Sequence, residues 1–208
     1  ALNFFYRICG YTLSAFINHY AKKDDVINLD IGHLTKFGSF GHLKKGKVNL
    51  RGIKPCYEVD LEGKILFLDN NLGPEIGRFM QGGELEIFGD YFGEDFGAFM
   101  KKGKVILHGN AAYMVFRCME NGEGIIYGDV EHGVVGTAMR NGRITVHGQV
   151  GIDKHFFPVT GGEYPNIGFD ALGGEIHLLG SYEDIDPTDE KMLNRKCKIY
   201  HQNQLVYP

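Results

Sequence analysis

From Gly46 to Gly180 apolar and polar residues alternate in seven short segments, each opened by a glycine, and six of them are closed by another glycine six residues later. The segments are GKVNLRG from Gly46, GKILFLD from Gly63, GELEIFG from Gly83, GKVILHG from Gly103, GEGIIYG from Gly122, GRITVHG from Gly142 and GEIHLLG from Gly174. From Gly63 to Gly142 the openings are spaced by 20, 20, 19 and 20 residues, a period that belongs to repeat architectures. With the opening glycine as position zero, the second position reads Val48, Ile65, Leu85, Val105, Gly124, Ile144, Ile176. The fourth reads Leu50, Phe67, Ile87, Leu107, Ile126, Val146, Leu178. Residues two apart share one face of a strand, so both columns are expected to point inward. Strands this short on such a period cannot close hairpins; they bury their apolar columns by stacking in parallel as a β-helix. The returns between strands repeat as well. Gly73 and Gly77, Gly93 and Gly97, and Gly136 precede an apolar ladder expected at Met80, Met100, Met119, Met139 and Leu172, with glycines available for corners of positive φ.

The outward columns test this register. The first reads Lys47, Lys64, Glu84, Lys104, Glu123, Arg143, Glu175, so charge alternates from Lys64 onward up a ladder that rises about 4.8 Å per turn. The other two are less polar than a solvated face. Leu66, Leu68, Phe88, Ile106, His108, Ile125 and Tyr127 form a candidate apolar strip outside the coils. Such a strip is normally covered, either by a terminal segment of the same chain or by a partner subunit.

The pattern predicts an all-β chain of about seven to eight coils with a short N-terminal helix and a C-terminal extension. Leu13, Phe16, Ile17 and Tyr20 lie at helical spacing, so residues 1–25 read as a helical cap. The solenoid covers 26–180; a strand near Val26 to Ile31 would be an imperfect coil whose alternation does not fit the register of the others. An insertion at 149–168, GIDKHFFPVTGGEYPNIG within it, delays the last coil. Its Lys154, His155, Phe156, Phe157 and Tyr164 make it a candidate ligand or interface site. Residues 181–208 form the extension, with Asp186 and Pro187 as a helix-start signal and a β-like KCKIY.

Composition narrows the function. The net charge of −4, with both signs interleaved along the chain, leaves no footprint for nucleic acid or an acidic membrane surface. Cys9, Cys56, Cys118 and Cys197 are scattered without a CxxC pair, which favours a reduced, cytoplasmic protein over a secreted one. The apolar N-terminal stretch is too interrupted to span a bilayer and lacks the form of a signal peptide. Serine-hydrolase chemistry finds only Ser14, Ser39 and Ser181 and no G-x-S-x-G elbow. Cys118, beside the Met ladder, reads as a buried structural thiol. His108 and His147 share an outward column two turns apart, too far to hold one metal ion. His132 and His155 are lone histidines in returns or the insertion.

The returns with paired glycines, a methionine and a glycine-opened strand, clearest in GPEIGRFMQGGELEIFGDYFGEDFGAFMKKGKVILHGN and GVVGTAMRNGRITVHGQVG, resemble the GXGXG-motif family. That family includes the C-terminal domain of the glutamate synthase large subunit and one of the subunits of formylmethanofuran dehydrogenase. The resemblance covers about Gly63 to Gly180. It implies a right-handed parallel β-helix, a non-catalytic structural or assembly subunit that positions catalytic partners in an oxidoreductase or amidotransferase complex. It implies no catalytic residue, metal or cofactor on this chain, while partner enzymes would carry FMN, iron–sulfur clusters or molybdopterin/tungstopterin. The third full return, NAAYMVFRCM, departs from the pattern by losing its glycines. The competing expectation is a stand-alone enzyme or small-ligand binder that uses the 152–168 insertion, and self-association is a further alternative to a hetero-complex.

Overall fold

The computed structural model describes residues 12–13, 15–22, 25–30, 47–51, 60–67, 76–91, 93, 95–112, 114–131, 134–151, 167–182 and 195–207. Among these, the strands are β1 (Val26–Asp30), β2 (Lys47–Arg51), β3 (Asp60–Phe67), β4 (Gly82–Ile87), β5 (Lys104–Leu107), β6 (Glu123–Ile126), β7 (Arg143–Val146), β8 (Glu175–Leu178), β9 (Lys198–His201) and β10 (Gln204–Tyr207). They form one sheet in sequence order. Every neighbouring pair from β1 to β9 is parallel. Parallel neighbours need a crossover, and here the crossover is one turn of a β-solenoid. About four turns are described with both strand and return.

The register is the one the columns predict: Lys104 pairs with Glu123, Glu123 with Arg143 and Arg143 with Glu175. Two lines of single parallel bridges complete the walls. One joins Tyr91, Ala111, Val130, Val150 and Tyr182, the other Val115, Val135 and Ile167. Inside the three lines, Leu85, Val105, Ile144 and Ile176 are fully buried, as are the fourth-position residues Ile87, Leu107, Ile126 and Val146. Met80, Met100, Met119 and Met139 fill the space beside them. Burial of this kind, at about 25 cal/mol per Å² of apolar surface, is the main force holding turn to turn.

Four expectations need correction. β1 does fit the register: Ile27 pairs with Val48 and Leu29 with Leu50, so both stand in the inward columns, with Asp25 in the place of the opening glycine. The fifth rung of the methionine ladder is Ala171, which is buried, whereas Leu172 is 58% exposed. The backbone settles the alignment, because Leu172 N–H donates to Met139 as Lys101 does to Met80 one position past each rung. Hydropathy places the rung one residue too far. The described residues of the helix α1 lie within 12–20. It docks through Ile17, flanked by Leu13 and Ala21, while Phe16 and Tyr20 are 60% and 68% exposed and touch each other. Finally, Cys118 is half-buried, not buried.

The return that lost its glycines is a compensated turn. Gly77, Gly97, Gly136 and Gly168 occupy one corner with φ of 63 to 72°, and Phe116 takes the same corner at φ 56°. Its ring points into the core and is fully buried. A Cβ on Gly124 would lie 2.3 Å from the tip of that ring, so the missing side chain in the inward column is the space the ring occupies.

At the far end, Lys198 pairs with Glu175 and Ile199 with Ile176, which carries the charge column and the inward column into the C-terminal segment. Gln202 and Asn203, at φ 48 and 65°, then make a two-residue hairpin turn, and β10 runs antiparallel to β9. Among the described residues, no helix is long and apolar enough to cross a membrane.

Candidate functional site

The strip is built from two adjacent outward columns. The register places Leu66 beside Glu86, Glu86 beside Ile106, Ile106 beside Ile125 and Ile125 beside Thr145. Ile106 and Ile125 are half-buried. Immediately past the ends of β4 to β7 stand Phe88, His108, Tyr127 and His147, whose rings stack along the solenoid. Centroids are 4.1 Å apart for Phe88 and His108, 5.0 Å for His108 and Tyr127, and 4.5 Å for Tyr127 and His147, with interplanar angles of 6, 12 and 29°. The spacing follows from the rise between turns, about 4.8 Å. Stacking uses up the faces of the inner rings and presents their edges to solvent. Phe88 remains 39% exposed and Tyr127 46%. His108 Nε2 lies 2.8 Å from Glu86 Oε1, which ties the two columns together. Leu68 lies outside the described residues.

Such a column offers apolar ring edges, a phenol and imidazole nitrogens at a fixed repeat, suited to contact. His108 and His147 are separated by the ring of Tyr127. Among the described residues no group of three or more His, Cys, Asp or Glu side chains is placed to hold a metal ion.

Lys154, His155, Phe156, Phe157 and Tyr164 lie outside the described residues, but the roots of the insertion are fixed. Val150 bridges Val130 and Tyr182, and Ile167 bridges Val135, so the chain leaves after the second line of pairing and returns on the third. The strip borders the second line from its other side, between the strands and Tyr91, Ala111, Val130 and Val150. The two candidate regions therefore flank one narrow side of the solenoid.

Three polar features are not apparent from the sequence reading. Asp90 accepts from the N–H of Asn110 at 2.7 Å, Asn110 from Asp129 at 2.8 Å and Asp129 from Gln149 at 2.6 Å, a ladder of side chains each binding the next turn's backbone. Its signal is present, since each of the three acceptors follows a closing glycine. On the returns, Asp95 is clamped by both Arg117 nitrogens at 2.9 Å and approached by Arg78 at 3.8 Å. Both guanidiniums lie over the Phe99 ring, which stacks on Phe79. These residues are 17 to 22 positions apart and no local motif joins them. Third, the alternating column closes into real ion pairs, Lys104 with Glu123 at 2.9 Å and Arg143 with Glu175 at 2.8 Å. Arg143 and then His177 hold the Glu175 carboxyl below its ordinary range.

An open groove of about 540 Å³ runs along that charged column, lined among others by Glu123, Arg143, Glu175 and Lys198. Its charges largely serve one another, and it lies before the strands, whereas the strip lies past their ends. In comparisons with protein-family models, characterised proteins and solved structures, nothing matches this chain.

Proposed function

We propose that this chain is a non-catalytic structural or assembly subunit, a β-solenoid scaffold that docks protein partners on the column of Phe88, His108, Tyr127 and His147. The observation that carries the reading is the exposure of that column. A strip covered by the chain's own termini would be buried, yet Phe88 and Tyr127 stay open to solvent while α1 docks through Ile17. A rigid ladder of ring edges has little side-chain entropy to lose on contact, which favours its use as a docking surface.

In this reading the repeat continues through β1, β2 and β3 to give seven to eight right-handed coils, and the chain is a cytoplasmic relative of the GXGXG domains of glutamate synthase and of formylmethanofuran dehydrogenase. Its partners are then catalytic subunits of an oxidoreductase or amidotransferase complex that carry FMN, iron–sulfur or molybdopterin/tungstopterin centres. The periodic glycines and the methionine rungs support this assignment. Gentle isolation of the tagged chain from its own cells, with mass spectrometry of what accompanies it, tests it. Stoichiometric recovery of an amidotransferase, an FMN-dependent synthase or a pterin-bearing subunit supports the scaffold and chooses its branch. Recovery of the chain alone as a clean homo-oligomer defeats the hetero-complex, and the insertion around His155 becomes the place to search for a ligand.

A further inference from the structure

Charge is interleaved along this chain but segregated around each turn. Residues 85–91, 105–112, 124–131, 144–151 and 176–182 run from the inward strand positions through the strip to the second line of pairing, and they contain no lysine or arginine. They do contain Glu86, Asp90, Asp129 and Glu131. The cations of the same turns lie on the other arc, on the returns, as Arg78, Lys101 and Arg140 do, or at the first strand position, as Lys104 and Arg143 do. In the strip's own column the nearest cation toward the start of the chain is Arg51, two turns before Phe88 by the strand register.

From this we infer that the strip's partner is a protein segment presenting lysines or arginines around apolar side chains. The inference rests on the scaffold reading and specifies its docking chemistry. The carboxylates border half-exposed rings with no fixed cation beside them, and the turns are closer together than a Debye length of about 8 Å at physiological salt, so their fields add. Cationic side chains at the rim would satisfy the carboxylates and the Tyr127 hydroxyl, while apolar ones lie against the ring edges and Ile106 and Ile125. An acidic partner would meet repulsion with nothing on this face to offset it.

The test uses the full chain and two synthetic peptides, one alternating lysine with leucine and the other alternating glutamate with leucine. Binding is titrated by fluorescence anisotropy and mapped by amide chemical shifts. Glu131→Lys is the informative variant, because Glu131 is exposed whereas Asp90 and Asp129 hold neighbouring backbone. Glu120→Lys makes the same change of net charge at an exposed position on the cationic arc. Saturable binding of the lysine peptide, shifts centred on Phe88, His108 and Tyr127, and at least about fivefold weakening by Glu131→Lys against less than about twofold by Glu120→Lys are expected. Equal weakening by both variants, shifts elsewhere, preference for the glutamate peptide, or no binding overturns the inference. Its failure is separable from that of the scaffold. Stoichiometric co-isolation of a catalytic partner together with a failed peptide test would leave the scaffold standing with a different docking chemistry.

Discussion

The ring of Phe116 occupies the interior space that Leu85, Val105, Ile144 and Ile176 fill in other turns, and Gly124 is the vacancy that admits it. Gly124→Ile alone therefore overpacks the core and is expected to cost about 1–3 kcal/mol, and Phe116→Gly alone leaves a cavity that costs about 3–5 kcal/mol. Together they recreate the glycine corner and inward Ile of the other turns, so urea unfolding of the four species should show a favourable coupling of at least about 1 kcal/mol. Simple additivity would mean that the two sites are independent. A second residue-scale effect is backbone strain. Phe79, Phe99, Cys118, Ala138 and Asp170 stand at φ 54 to 58° just before each rung, where non-glycine residues pay a conformational cost. Ala138→Gly is expected to raise stability by about 0.5–1 kcal/mol, read as a shift in the urea midpoint at unchanged slope. Burial pushes the Cys197 thiol up to about 11. Because the folded value is the raised one, its contribution to stability is complete below the ordinary thiol range and is lost as pH climbs from about 8.5 toward 11. At pH 8 Cys197 should alkylate much more slowly than half-buried Cys118, which peptide-level mass spectrometry can resolve.

Strands and ladders show how far the sequence can be read. The parallel strands and their register are legible because a wrong alignment would scramble two inward columns and the alternating charges together, whereas Lys104, Glu123, Arg143 and Glu175 line up as expected. The rung falls on Ala171 instead of Leu172 because the count back from Gly174 outranks hydropathy in fixing it. Helical spacing finds α1 but not its buried side, since Phe16 and Tyr20 fit the period as well as Leu13 and Ile17 do. The Asp90, Asn110 and Asp129 ladder is hidden because polar residues after a glycine read as ordinary turn formers. Its worth is measurable: Asp129→Ala removes the acceptor for the Gln149 N–H and should cost about 1–2 kcal/mol in thermal or urea unfolding, with most of it restored in Asp129→Asn. An unchanged Asp129→Ala would show that the side chain contributes nothing to stacking.

The whole molecule is a repeat stack in which one side carries paired charges and another carries rings. The candidate strip is legible as a column of apolar residues at outward positions. What the sequence does not show is that its rings stack face to face and that it remains exposed past the strands. The charge segregation is equally readable, but only after residues are wound onto a common turn, because net charge averages over the coil. The most direct test of the scaffold combines co-isolation with folding measurements on Tyr127→Asp. The wild-type chain should bring down a catalytic partner in stoichiometric amount. Tyr127→Asp should come down alone while its unfolding free energy stays within about 0.5 kcal/mol of wild type, as expected for an exposed surface change. Undiminished partner recovery, or a loss of about 1–3 kcal/mol of stability with the same recovery, would contradict the account and show that the strip serves the fold of its own chain.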